Sequence, residues 1–356
     1  MITTIKVGSG ILDGGGDINY SVLRGVARVI SELREEKFIV VSSGALLMGL
    51  LKIGLNFVPK NIKKRQAICA IGQPELIRKW NEVFSEYNLL ASQVLITHED
   101  IGLPKRAKNI EDTIFQIFDI GAVPIINEND TVSTEEIRFG DNDFLSAYVS
   151  VLVGAKRLII ITDIDGVLDN EGNLIKEVSP DNINNVLGKI GKTQIKKRVS
   201  SGGIVSKLTA SKIASEFGVE CFIINGRKIG CLRKIFDGEN PGTKVLPMKK
   251  YTRRETWMLN VMKGKGRIFI DKGAYDAVKN GKSLLPAGIK DVSGNFSVGD
   301  IVEVYFEDEI LGKGITNYSS QEITLIKGKR TDQIEKILPY KRADEVIHRD
   351  NFVEIE

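Results

Sequence analysis

Short runs of β-branched and aliphatic residues alternate with helical patterns through the first two-thirds of the chain, and this alternation restricts the fold more than any other feature. Repetition of strand, helix and strand builds a mostly parallel open sheet sandwiched by helices, an α/β fold. The runs are Thr4 to Val7, Phe38 to Val41, Ser92 to Ile96, Val123 to Ile126, Leu158 to Ile161 and Glu220 to Ile224. Between the first two, Val22, Leu23, Val26, Val29, Ile30 and Leu33 recur at helical spacing behind Asn19, which suits a cap. Turn signals at Asp165-Gly166 and Glu171-Gly172-Asn173 predict a hairpin after Asp163, and a polar, basic segment from Gly188 to Ser201 precedes another helix.

The 356 residues exceed the roughly 250–300 at which one hydrophobic core stops growing, so a second domain is expected. After Gly242 the pattern loses its helices and shows strand-like runs punctuated by glycine: Arg267 to Asp271, Ile301 to Phe306, Ile310 to Ile315 and Glu322 to Ile326. A boundary near Met248 to Lys265 gives an α/β domain over 1–248, a linker over 249–264 and a small C-terminal β-rich domain over 265–350. No apolar run approaches the ~20 residues that span a bilayer, and Met1 leads straight into a strand-like segment. A soluble cytoplasmic protein with no membrane partner is the expectation.

Cys69, Cys221 and Cys231 are widely spaced, and the two histidines are His98 and His348, so neither a disulfide framework nor a zinc-binding spacing is present. The cysteines read as buried and inert. Neither histidine adjoins a plausible nucleophile, which disfavours hydrolases built on a proton relay. From Tyr251 onward 17 Lys and Arg face 17 Asp and Glu, so the net charge of +4 arises upstream, and the tail lacks the positive excess of a nucleic-acid-binding module.

In open parallel sheets ligands bind beyond the carboxyl ends of the strands. Those ends carry Lys6, Gly8, Ser9 and Gly10; Ser42, Ser43, Gly44 and Ala45; Asn127, Glu128, Asn129 and Asp130; and Thr162 and Asp163. The Gly8-Ser9-Gly10 turn fits neither the dinucleotide fingerprint nor the P-loop. It is either a plain strand-to-helix turn or a backbone open enough to approach phosphate beside Lys6. Asp141, Asn142 and Asp143 precede a helical run from Phe144, and a cap accounts for one of them. Together with Asn127 and Asp130 they suit a substrate bearing an ammonium group. Ser201, Gly202 and Gly203 lead into a helix containing Lys207, which is either a solvent-facing lysine or a charge directed at an anion. Asp163, Asp165, Gly166 and Asp169 imitate a calcium loop in the wrong register, and His348-Arg349-Asp350 imitates a kinase catalytic loop without its other motifs.

Taken in order, these segments resemble the glutamate 5-kinases, a family of the amino acid kinase superfamily that makes the first intermediate of proline synthesis. The resemblance rests on Ile5-Lys6-Val7-Gly8-Ser9, Val41-Ser42-Ser43-Gly44-Ala45, Ile71-Gly72-Gln73-Pro74-Glu75-Leu76-Ile77, Asn127-Glu128-Asn129-Asp130, Gly140-Asp141-Asn142-Asp143, Thr162-Asp163 and Gly202-Gly203 up to Lys207. In the tail, Gly273-Ala274, Ser283-Leu284-Leu285-Pro286-Ala287-Gly288-Ile289 and Gly294-Asn295-Phe296 resemble a PUA domain. The resemblance implies that Lys6 and Lys207 contact the ATP phosphates with Asp143 holding both, and that Ser43, Asp130, Asn142 and Asn127 bind glutamate. It further implies a nucleotide site lined by Gly8, Ser9, Thr162, Asp163, Ser201, Gly202, Gly203, Ile204, Val205, Ser206 and Lys207, with Mg2+ as companion ion. The run Ser200-Ser201-Gly202-Gly203-Ile204 stands where many relatives have Gly-Thr-Gly-Gly-Met, a departure that touches nucleotide packing rather than charge.

Glutamate's γ-carboxylate is ionised at neutral pH, so it attacks a terminal phosphate without a general base, which accords with the scarcity of histidine. The resemblance also implies a homo-oligomer, feedback inhibition by proline and hand-off of the acyl phosphate to glutamyl phosphate reductase. Two alternatives stand beside this reading: a kinase of the same superfamily with another acceptor, and an RNA-binding or regulatory role through the PUA-like tail.

Overall fold

The computed structural model describes residues 1–133, 142–190, 203–228, 230–248 and 264–355. The chain divides into two compact units, Met1–Lys250 and Tyr251–Glu356. The expected linker over 249–264 and the segment from Gly188 to Ser201 lie mostly outside the described residues.

The first unit contains strands β1 (Ile2–Val7), β2 (Lys37–Ser42), β3 (Leu90–Ile96), β4 (Ala122–Glu128), β5 (Arg157–Thr162), β6 (Glu177–Val178), β7 (Glu220–Asn225) and β8 (Thr243–Val245). They form one sheet in the order β3-β4-β2-β1-β5-β7-β8-β6. Neighbours from β3 to β7 are parallel, β8 runs antiparallel to β7, and β6 pairs parallel with β8. All six runs expected from the sequence are strands of this sheet. The chain passes from β1 to β2, places β3 at the edge, fills the gap with β4 and then puts β5 on the other side of β1. The order thus reverses at β1, where such sheets open a crevice for ligands.

Its helices among the described residues are α1 (Ser9–Leu12), α2 (Tyr20–Glu32), α3 (Ala45–Ile53), α4 (Ile62–Glu86), α5 (His98–Gly102), α6 (Pro104–Asp119), α7 (Asn142–Leu152), α8 (Ile183–Lys189), α9 (Ile204–Ser215) and α10 (Cys231–Phe236). Alternate residues of the central strands feed two cores. Ile5, Val7, Ile159 and Ile161 pack with α2, α3 and α4, whereas Leu158 and Ile160 pack with Leu208, Ala210 and Ala214 of α9. This period of two leaves Lys6, between Ile5 and Val7, directed to the face that carries α7 and α9.

Helix α2 starts after Asn19 as the spacing predicts, although the Asn19 side chain caps no backbone N–H and instead accepts from Ser21 Oγ at 2.6 Å. Helices α3 and α4 meet backbone to backbone: a Cβ on Gly72 would stand 1.9 Å from the carbonyl oxygen of Ala45 and 2.3 Å from the nitrogen of Gly49. Trp80, fully buried, ties α4 to β2 by donating from Nε1 to Ser42 Oγ at 2.9 Å. The expected hairpin after Asp163 is present, with Leu168 bridged to Leu174 and Asp169 Oδ1 accepting from the backbone N–H of Glu171 and Asn173.

The second unit carries β9 (Gly266–Ile270), β10 (Ile289–Gly294), β11 (Ile301–Phe306), β12 (Glu309–Ile315) and β13 (Phe352–Glu354) in the order β10-β9-β11-β12-β13. It also has helices α11 (Lys272–Lys279), α12 (Ser320–Ile326) and α13 (Ile334–Ile337), which corrects the expectation of a tail without helices. The run Glu322 to Ile326, read as strand-like, belongs to α12. Ser319 and Glu322 close a capping box there, and Ile323 and Ile326, three apart and both fully buried, share one helical face.

Candidate functional site

At the crevice beside β1 two lysines from distant segments converge on one carboxylate. Lys6 Nζ lies 2.5 Å from Asp143 Oδ1, and Lys207 Nζ lies 3.0 Å from Oδ2. Asp143 is fully buried, and Lys6 and Lys207 are nearly so. Ser206, on the first turn of α9, donates from Oγ to Asp143 Oδ2 at 2.8 Å. Burial alone would push the Asp143 carboxyl up, yet the two lysine charges and their hydrogen bonds outweigh it and hold the group below the usual carboxylate range. Charges are expensive to bury unless they answer one another, and here Asp143 answers both Lys6 and Lys207.

Beside this group lies an amide network. Asn142 Nδ2 donates to Ser43 Oγ and to Asn127 Oδ1, both at 2.9 Å. Asn127 Oδ1 also accepts the backbone N–H of Glu128 at 2.9 Å, and Asn127 Nδ2 donates to Gln73 Oε1 at 2.7 Å. Ser43 is placed by the tight turn after β2, where Gly44 adopts φ of +118° and a Cβ would come within 3.1 Å of Leu12. Asn142 and Asp143 are the first residues of α7, so one helix end serves both clusters, Asn142 bonding to the amides and Asp143 to the lysines. Gly140 and Asp141 lie outside the described residues.

Asp130 belongs to a third group. Burial pushes its carboxyl up to about 6, a hydrogen bond from the Cys69 thiol works against that shift, and the charge of Glu128 adds to it. All three cysteines are free and buried, and burial pushes their thiols up, as the inert reading expects. Cys69 nevertheless lies close enough to Asp130 to influence its ionisation, which its sequence context did not signal. His98 pairs with buried Glu128, Nδ1 to Oε2 at 3.1 Å, and sits edge-on to Tyr148.

The other expected positions divide. Gly8 caps α1 beside Lys6, whose Nζ a Cβ there would approach to 3.4 Å, and Ser9 opens that helix. Thr162 is buried at the end of β5 and donates to the exposed Asp163 at 3.2 Å. Gly203, Ile204 and Val205 start α9, with Ile204 buried and Val205 exposed, while Ser201 and Gly202 lie outside the described residues. His348 Nδ1 accepts the backbone N–H of Asp350 at 3.2 Å, a local turn rather than a catalytic loop. Gln73 was not singled out as a site residue. Its signal was an amide on the stripe Cys69, Gln73, Leu76 and Trp80, whose other three members are buried.

An open parallel sheet with two buried lysines at its switch point defines an α/β domain that handles anionic ligands. The family profile described as "Amino acid kinase family" matches residues 1–225, and one described as "PUA domain" matches residues 266–338. The glutamate 5-kinase of a Thermus thermophilus strain is 39% identical over 355 residues, covering 98% of this chain and 95% of its own. Those of a Thermoanaerobacter species and of Caldanaerobacter subterraneus are 42% and 41% identical over 366 residues, covering 100% of this chain and 98% of theirs. The chain belongs to the amino acid kinase family and, within it, to the glutamate 5-kinases.

Proposed function

We propose that this chain transfers the terminal phosphoryl group of ATP to the γ-carboxylate of L-glutamate, giving L-glutamyl 5-phosphate for proline biosynthesis. The observation that carries the reading is the convergence of Lys6 and Lys207 on Asp143 at the switch point. A γ-carboxylate oxygen attacks the γ-phosphorus, the bond from that phosphorus to the bridging oxygen breaks, and ADP leaves with the electron pair. No proton moves, and His98 is engaged with Glu128 rather than with either lysine. What such a step requires is alignment of two anions and neutralisation of charge growing on the leaving oxygen. Lys6 and Lys207 supply that charge, with Asp143 and Ser206 fixing their positions. Ser43, Asn127, Asp130 and Asn142 hold the amino acid, while Gly8, Ser9, Thr162, Asp163 and the 201–207 loop line the nucleotide.

Among the described residues no group of three or more His, Cys, Asp or Glu is placed to hold a metal ion. The companion ion that the reading expects is Mg2+. No residue is assigned to it.

Further parts of the reading are a catalytic domain over 1–248, a PUA domain over 265–350, a homo-oligomer in the cytoplasm, inhibition by proline and delivery of the product to glutamyl phosphate reductase. No helix of the described residues is long and apolar enough to cross a membrane. The test is ADP release on adding glutamate, aspartate or acetylglutamate, with hydroxylamine trapping the acyl phosphate as hydroxamate. Equal stimulation by another acid would replace glutamate as the acceptor; proline added to the same assay reads the inhibition.

A further inference from the structure

Amide groups present a donor on one side and an acceptor on the other, so a chain of them has a direction that something must fix. Here the backbone fixes it. The Glu128 N–H can only donate, which makes Asn127 Oδ1 the acceptor and leaves Asn127 Nδ2 to donate to Gln73 Oε1. Asn142 must then turn Nδ2 toward Asn127 Oδ1 and Ser43 Oγ. Two consequences appear at the far end. Asn142 Oδ1 is buried without a hydrogen-bond partner among the described residues, and the Ser43 hydroxyl, having accepted from Asn142, keeps its own proton to donate. One acceptor and one donor side by side match the ammonium and carboxylate of an α-amino acid.

We infer that Gln73 is a positioning residue that holds Asn127 in the polarity the Glu128 N–H sets, so that the site reads the zwitterionic end of its substrate; the inference rests on the function proposed above. Gln73 itself is half-buried on α4, and the backbone contact of neighbouring Gly72 with Ala45 and Gly49 sets its position. Without an acceptor at 73, Asn127 Nδ2 loses its partner and Asn127 is held from one side only, so the oxygen that Asn142 presents is no longer fixed in place.

The test compares Gln73→Met, of similar length with no strong acceptor, Gln73→Lys, with donors only, and Gln73→Glu, with acceptors only. Steady-state ADP release is measured against glutamate and ATP in turn, with Tm alongside. Gln73→Met and Gln73→Lys are expected to raise KM for glutamate by about tenfold to a hundredfold, with KM for ATP little changed. Gln73→Glu is expected to stay within about threefold of the wild type, because it still accepts from Asn127. Should Gln73→Met fail to fold, the contrast between the other two carries the test. A glutamate-dependent wild type alongside an unchanged Gln73→Met overturns the inference alone. A Gln73→Glu as impaired as Gln73→Lys, or parallel losses in Tm and in both KM values, does the same. A wild type without glutamate-dependent ADP release overturns the proposed function and this inference together.

Discussion

Lys207 Nζ rests 3.0 Å from one oxygen of Asp143 while Lys6 holds the other, so a single buried carboxylate joins the end of β1 to the first turn of α9. Each lysine has a structural partner and, in the proposed reaction, a phosphate to neutralise. Lys6→Ala and Lys207→Ala are each expected to lower kcat by about two to three orders of magnitude, the scale for deleting one group directed at developing charge. Circular dichroism should show the fold retained. A purified variant with near-normal turnover removes that lysine from the mechanism.

The same carboxylate links stability to pH. Its folded pKa lies below the ordinary value of 3.8, so it contributes stability that is present above that pH and lost as pH falls through the folded value. Asp143→Asn leaves two buried ammonium groups facing a neutral amide. The gap in unfolding free energy between wild type and Asp143→Asn is therefore expected to be widest near neutrality and to close below about pH 4. Urea unfolding across that range measures it, and a gap independent of pH would contradict the assignment.

The parallel sheet was legible because its central strands are buried on both faces and read as continuous apolar runs, as Val123 to Ile126 does. Lys6, Asn127, Asp130, Asp143 and Lys207 stood out as candidates from their places just beyond or within strand ends and at helix starts, whereas the meeting of Asp143 with both lysines was implied by the family resemblance alone. Two kinds of information were not legible. Glu322 to Ile326 was misread because five residues hold too few repeats to separate periods of two and 3.6, and the deciding signal, Ser319 with Glu322, lay in capping rather than hydrophobicity. The Cys69 to Asp130 and Gln73 to Asn127 contacts join α4 to β4 or the loop after it, and no local pattern encodes which residue meets which across that distance.

Gly72 and Gly54 separate close packing from backbone strain. A Cβ on Gly72 would fall inside the contact distance of Ala45 and Gly49, forcing α3 and α4 apart, whereas Gly54 has open space but φ of +71°. Gly72→Ala is expected to cost at least about 1–3 kcal/mol and to raise KM for glutamate by displacing Gln73. Gly54→Ala is expected to cost about 1 kcal/mol from the left-handed backbone, with kinetics unchanged. Thermal unfolding and KM for glutamate, measured on both, distinguish the two. Equal effects would show that the helix contact does not position the site.

Asp130 should make glutamate binding depend on pH in a range where most carboxylates no longer titrate. Burial raises its carboxyl to about 6, so its neutral form is favoured by folding, and stability due to this group falls as pH rises from 3.8 toward about 6. Binding an ammonium group has the opposite requirement, since only the ionised carboxylate attracts it. KM for glutamate is therefore expected to rise as pH drops below about 6, with KM for ATP following no such curve, and Asp130→Asn should be weak and flat across the range. Cys69 supplies the sharper discrimination: its thiol stabilises the ionised form, so Cys69→Ala is expected to move the break in the glutamate profile to higher pH. A break that stays in place or moves downward would remove the thiol from this role, and a wild-type profile without any break would remove Asp130 from the glutamate site.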